Sequence, residues 1–67
     1  MVDKEHHFQI KHYREQKNMT QKELAERLRT DIRNVRRWEN GESIPNVVDA
    51  LRISEVLETP FEDIFVV

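Results

Sequence analysis

The stretch that decides the fold is Thr20-Gln21-Lys22-Glu23-Leu24-Ala25-Glu26-Arg27-Leu28, then Arg29-Thr30-Asp31, then Ile32-Arg33-Asn34-Val35-Arg36-Arg37-Trp38-Glu39-Asn40-Gly41. Thr20 with Glu23 three residues on is a capping box, in which each side chain satisfies a free backbone N–H of the other. Leu24, Ala25 and Leu28 then form the buried stripe of a short helix. Arg29-Thr30 breaks the period. Asp31 is a good N-cap, because its carboxylate accepts from the free N–H groups of the next turn. A further helix follows from Ile32 to about Asn40, and Gly41 closes it in the left-handed conformation. Two short helices joined by the three-residue turn Arg29-Thr30-Asp31 have helix-turn-helix spacing. Ala25 supplies the small residue where the helices cross, and Val35 the apolar residue after the turn. Trp38, one turn later, points inward as a core residue.

Outward from this pair the sequence predicts three more helices. One runs from about Lys4 to Lys17, with Ile10, Tyr13 and Lys17 stepping by three and four and His6 or His7 a turn earlier. Glu42-Ser43-Ile44-Pro45 is a loop, and Asn46 caps a helix from about Val47 to Glu58 with its apolar positions at Val47, Ala50, Leu51, Ser54 and Leu57. Thr59 caps a last short helix with Pro60 at its first position, where the missing N–H costs nothing, and Phe61, Ile64 and Phe65 on its inner face. No β-type alternation of useful length occurs. The expected fold is all-α, a compact five-helix bundle formed by residues 1–67 as one domain, with the helix-turn-helix at about 20–40 and a dimerisation region at 47–67.

Composition narrows the function. No cysteine is present, so neither a disulfide nor a cysteine-based zinc site is available. Stability must come from a small apolar core, helped by a partner subunit. There is no apolar run of about 18 residues to cross a membrane, and Met1-Val2-Asp3-Lys4-Glu5 has no apolar signal core. The expectation is a cytoplasmic protein. His6, His7 and His12 lack ligand spacing and partners for a metal. Glu39 and Glu42 come without a nucleophile, phosphate loop or metal cluster. No catalytic residue, metal, cofactor or small-molecule ligand is expected.

The net charge of −2 argues against a polyanionic partner until it is divided along the chain. Residues 1–38 hold ten Lys/Arg and six Asp/Glu, a net of +4; residues 39–67 hold one and seven, a net of −6. A basic half can meet phosphates while the acidic half faces away. Ile32, Arg33, Arg36 and Arg37 lie opposite Val35 and Trp38 on the second helix of the pair, and Asn34 is a further contact to base or phosphate. Arginine forks match guanine O6 and N7, and an isoleucine packs on a thymine methyl. An arginine-rich helix face on its own is usually only solvated. The helix-turn-helix spacing is what turns it toward double-stranded DNA.

Thr20-Gln21-Lys22-Glu23-Leu24-Ala25, Val35, Arg37-Trp38-Glu39-Asn40-Gly41 and Pro45 together resemble the lambdoid phage repressor and Cro-like family, also called the XRE family. The similarity reaches from Ile10 to Phe65. It implies a lambda-repressor-like fold in a protein of bacterial, archaeal or phage origin. It implies that Gln21 contacts the DNA backbone and braces the reading helix. Arg33 and Arg37 correspond to base-contacting positions, and Asn40 to a phosphate contact made with the backbone N–H groups near Gly41. Arg14 and Glu39 match an ion pair that ties the first helix to the end of the third. Relatives commonly dimerise through the fourth and fifth helices, which implies a homodimer, and Val48, Val56, Val66 and Val67 are apolar surface in excess of one core. Three residues depart from the pattern. Ile32 stands where members often carry glutamine or arginine. Arg29 stands where relatives have glycine, at a cost of roughly 1 kcal/mol if it is left-handed. Glu42 stands where many have a basic residue.

Two function classes follow. One is a sequence-specific transcriptional regulator, a repressor bound as a homodimer to a near-palindromic operator. The alternative is a protein-interaction module, such as an antitoxin-like subunit, that keeps the fold without DNA binding. Arg33, Arg36 and Arg37 favour the first; Glu42 leaves room for the second.

Overall fold

A computed structural model describes residues 8–65. Among these residues the chain is all helical: α1 (Ile10–Gln16), α2 (Gln21–Leu28), α3 (Ile32–Asn40), α4 (Val47–Leu57) and α5 (Phe61–Ile64). The helix starts follow from local chemistry. Thr20 Oγ1 accepts from Glu23 N at 3.0 Å while Glu23 Oε1 accepts from Thr20 N at 2.8 Å, completing the capping box. Asp31 and Asn46 cap α3 and α4 by accepting from Arg33 N and Asp49 N, each at 2.8 Å.

The helix ends share one solution. After α1 to α4 the chain turns left-handed at Asn18, Arg29, Gly41 and Glu58. In each case a backbone N–H reaches five residues back: Met19 to Arg14 O, Thr30 to Ala25 O, Glu42 to Arg37 O and Thr59 to Ser54 O. This pairing satisfies carbonyls that the helix leaves free. Gly41 takes the conformation (φ 78°) without strain, whereas Arg29 (φ 59°, ψ 44°) carries a Cβ that crowds its own carbonyl.

One core joins all five helices: Ile10 from α1, Leu24, Ala25 and Leu28 from α2, Val35 and Trp38 from α3, Ile53 and Leu57 from α4, and Ile64 from α5, with Met19 between α1 and α2. Arg52 of α4 donates through Nη2 to Leu28 O at 2.8 Å, so α4 caps the end of α2 as well as packing on it.

Four sequence expectations change. The first helix starts at Ile10, not near Lys4; Phe8 and Gln9 precede it, and Lys4–His7 lie outside the described residues. The reason is tertiary: Gln9 N donates to Ile64 O at 2.8 Å and Phe8 packs edge-on to Phe65, tying this segment to α5. The buried face of α4 is Ala50, Ile53 and Leu57, while Val47 and Leu51 are 71% and 50% exposed. An i, i+3, i+7 stripe through Ile53 outcompetes the expected one because Ile53 fills the core more completely than Ser54 would. Pro60 itself precedes α5, which starts at Phe61; Thr59 Oγ1 donates to Leu57 O at 2.9 Å instead of capping. Finally, Val56 packs against the core, and the exposed apolar residues are Ile44, Val47, Val48, Leu51 and Phe61. Val66 and Val67 lie outside the described residues.

Candidate nucleic-acid interface

The geometry of α3 divides its nine residues between core and solvent. At about 100° per residue, Val35, Trp38 and Glu39 fall on one side and are buried. Arg33, Arg36, Arg37 and Asn40 fall on the other and are exposed. Val35 and Trp38 anchor the helix, so its outward face is held at a fixed height above the core.

Ile32 does not stand opposite Val35 and Trp38, as the sequence suggested. It is half-buried and packs against the core. The step of three from Ile32 to Val35 places both on nearly the same side of the helix. Asn34 is also half-buried, and its Nδ2 donates to Thr30 Oγ1 at 2.7 Å. This bond ties the first turn of α3 to the inter-helix turn. The outward face is thus narrower than the sequence implied, consisting of arginines with Asn40 at the C-terminal end.

The charged groups that set the helix in place are mostly buried. Arg14 Nε donates to Glu39 Oε2 at 2.6 Å, and Arg14 Nη2 to Glu39 Oε1 at 3.0 Å. Arg14 Nη1 donates to Met19 O at 2.8 Å. Gln21 Nε2 donates to Glu39 Oε1 at 2.9 Å. One carboxylate therefore joins α1, the start of α2 and the end of α3. Among the described residues no buried side-chain polar atom lacks a partner. The structure brings Gln21 within reach of α3, where its amide N–H is committed to Glu39 and its carbonyl oxygen is left outside this bond.

At the other end of α3, Arg33 folds back on Asp31. Nε and Nη2 of Arg33 lie 3.3 Å from Oδ1 and Oδ2 of Asp31, both side chains being largely exposed. The Arg33 hydrogen bonds, from side chain and backbone, hold the Asp31 carboxyl below the usual aspartate range. Sequence reasoning found Asp31 as a cap but missed this second role. An aspartate two residues before an arginine at a helix start was the available signal. It also missed Arg52, whose bond to Leu28 O depends on the packing of α4 against α2.

Electrostatically, the arginine face belongs to the basic half of the chain, and α4 and α5 carry Asp49, Glu55, Glu62 and Asp63. No helix among the described residues is long and apolar enough to cross a membrane.

Over residues 10–64 the chain matches the family described as Helix-turn-helix. It is also 46% identical over 54 residues to the Type II methyltransferase M1.ScrFI of Lactococcus lactis subsp. cremoris, covering 76% of this chain and 13% of that enzyme. The chain thus spans a small part of the curated relative it matches.

Proposed function

The chain belongs to the helix-turn-helix family of Cro/C1 (XRE) type, a family of DNA-binding domains, and on that premise we propose that it is a sequence-specific transcriptional repressor acting as a homodimer on a near-palindromic operator. The observation that carries the proposal is the exposed face of α3, where Arg33, Arg36, Arg37 and Asn40 stand opposite the anchoring Val35 and Trp38. In this docking geometry the second helix of the pair lies in the major groove and the first crosses the backbone. Arg33 and Arg37 read base edges, Arg36 and Asn40 meet phosphate, and Gln21 contacts the backbone with the oxygen that Glu39 does not use. Asn34 and Ile32 border this face, Ile32 against a thymine methyl where the groove approaches.

Dimerisation has its own support. Ile44, Val47, Val48 and Leu51 form an exposed apolar surface at the start of α4, joined by Phe61 of α5. One copy measures 33 × 23 × 23 Å and holds one reading helix. Two half-sites about 34 Å apart on one side of the duplex therefore need two copies. Residues 47–67 supply the contact in this proposal, and the acidic helices face away from the DNA. The proposed function is binding without catalysis, in the cytoplasm, and methyl transfer is attributed to the relative alone.

Salt dependence tests the proposal. Affinity for duplex fragments from the chain's own promoter region should fall steeply between low and moderate salt, because each phosphate contact releases counterions. Absence of any retention at low salt would refute DNA binding and favour the interaction-module alternative.

A further inference from the structure

We infer that Asp31 is a positioning residue for base recognition, holding the Arg33 guanidinium so that its end-on fork is presented to guanine. This inference rests on DNA reading by α3 and adds a specificity-determining residue to it. The geometry is the starting point. Arg33 uses Nε and Nη2 toward the two oxygens of Asp31, each at 3.3 Å. This is the side edge of the guanidinium. The remaining edge, Nη1 with the second hydrogen of Nη2, is the fork that matches guanine O6 and N7.

Asp31 can do this because it is itself fixed. Its Oδ1 accepts from Arg33 N at 2.8 Å as the N-cap of α3, so the carboxylate is oriented by the backbone before the guanidinium arrives. The pair spans two residues of chain, so little loop entropy is lost in closing it. In water such an exposed pair contributes little to stability. Against DNA its value is different. A long arginine side chain has many rotamers, and fixing one before binding reduces the ordering cost on association. The carboxylate also discriminates. It occupies the edge that Arg33 would otherwise turn to a phosphate, and it repels phosphate directly. An aspartate is ionised at neutral pH in any case, and the hydrogen bonds from Arg33 favour that form further.

Asp31→Asn separates this role from capping, since asparagine caps helices as well as aspartate but cannot accept from Nε and Nη2 of Arg33 with both side-chain atoms. Duplexes selected by the unmodified chain from a random pool supply the probe, each base position then being varied singly. We expect Asp31→Asn to keep the thermal midpoint of the unmodified chain. It should lose about tenfold of the preference for guanine at one position per half-site, the same position at which Arg33→Ala loses it. Asp31→Ser, a second capping residue without the paired oxygens that accept from Arg33, should behave likewise. Unchanged preference at that position in Asp31→Asn, or an equal loss at every position, overturns the positioning role while leaving DNA reading intact. If the unmodified chain selects no sequence at all, DNA reading itself is refuted, and the role of Asp31 with it.

Discussion

Arg14 and Glu39 meet edge to edge inside the molecule, with Arg14 Nε 2.6 Å from Glu39 Oε2 and the Glu39 side chain only 2% exposed. The two residues come from α1 and from the end of α3, 25 positions apart. Removing either partner strands a buried charge. Glu39→Ala or Arg14→Ala should each lower the unfolding free energy by about 3–5 kcal/mol, measured by urea denaturation. Replacing both together with apolar residues of similar volume should cost clearly less than the sum of the two single changes. Additive losses would show that the pair is not coupled.

Arg29 holds a left-handed conformation that glycine enters freely. Arg29→Gly should therefore stabilise the fold by up to about 1 kcal/mol. For a domain of this size that corresponds to a rise of roughly 4–8 °C in thermal midpoint. Arg29→Val should lower the midpoint, because a β-branched residue is still less tolerant of this region. A drop on introducing glycine would mean that the arginine side chain contributes more than its backbone strain removes.

Asp31 should titrate below the ordinary aspartate range, its Arg33 hydrogen bonds favouring the ionised form. A depressed folded-state pKa gives stabilisation that is present above the unfolded value and lost as pH falls through the folded one. The small contribution of the charge-assisted contacts with Arg33 is thus intact at neutral pH and is lost only under acid conditions, whereas the cap, which a neutral side chain also supplies, is kept. Glu58, lowered chiefly by its hydrogen bond to Lys17, behaves in the same sense. Carboxyl carbon shifts followed by NMR should give a low midpoint for Asp31 that rises in Arg33→Ala. An ordinary midpoint in the unmodified chain would contradict the fork.

Leu51 is half exposed on the outer side of α4, beside Val47 and Val48. Leu51→Glu should leave the monomer folded and shift the sedimentation equilibrium of a micromolar sample from dimer to monomer. A monomer before substitution, or an unaltered dimer after it, would count against this surface as the interface.

Most of the fold was legible because its signals are local. Thr20 with Glu23, Asp31, Asn46 and Gly41 each fix a helix boundary through chemistry within three or four residues. The anchors Val35 and Trp38 were legible for the same reason. What escaped depends on tertiary competition. In α4 two apolar stripes share one helix, and only packing against α2 and α5 decides that Ile53 goes in while Val47 and Leu51 stay out. Ile32 was misplaced because its charged neighbours suggested a groove-facing residue, whereas its spacing from Val35 draws it to the core. The start of α1 is set by Phe65 and Ile64, more than fifty residues away in sequence. At the arginine face, the positions of Arg36 and Arg37 followed from periodicity alone. The fork between Arg33 and Asp31 needed side-chain geometry.

The central claim is that α3 reads DNA through its arginines, and Arg37→Ala tests it most directly. The measurement is the affinity of the unmodified chain and of Arg37→Ala for a selected operator duplex and for its single-base variants, at one fixed salt concentration. A base-reading arginine predicts a loss of about 1–3 kcal/mol on the operator, with preference relaxed at one base position per half-site. Equal affinity of the two proteins for every duplex, or no discrimination among duplexes by the unmodified chain, would contradict it.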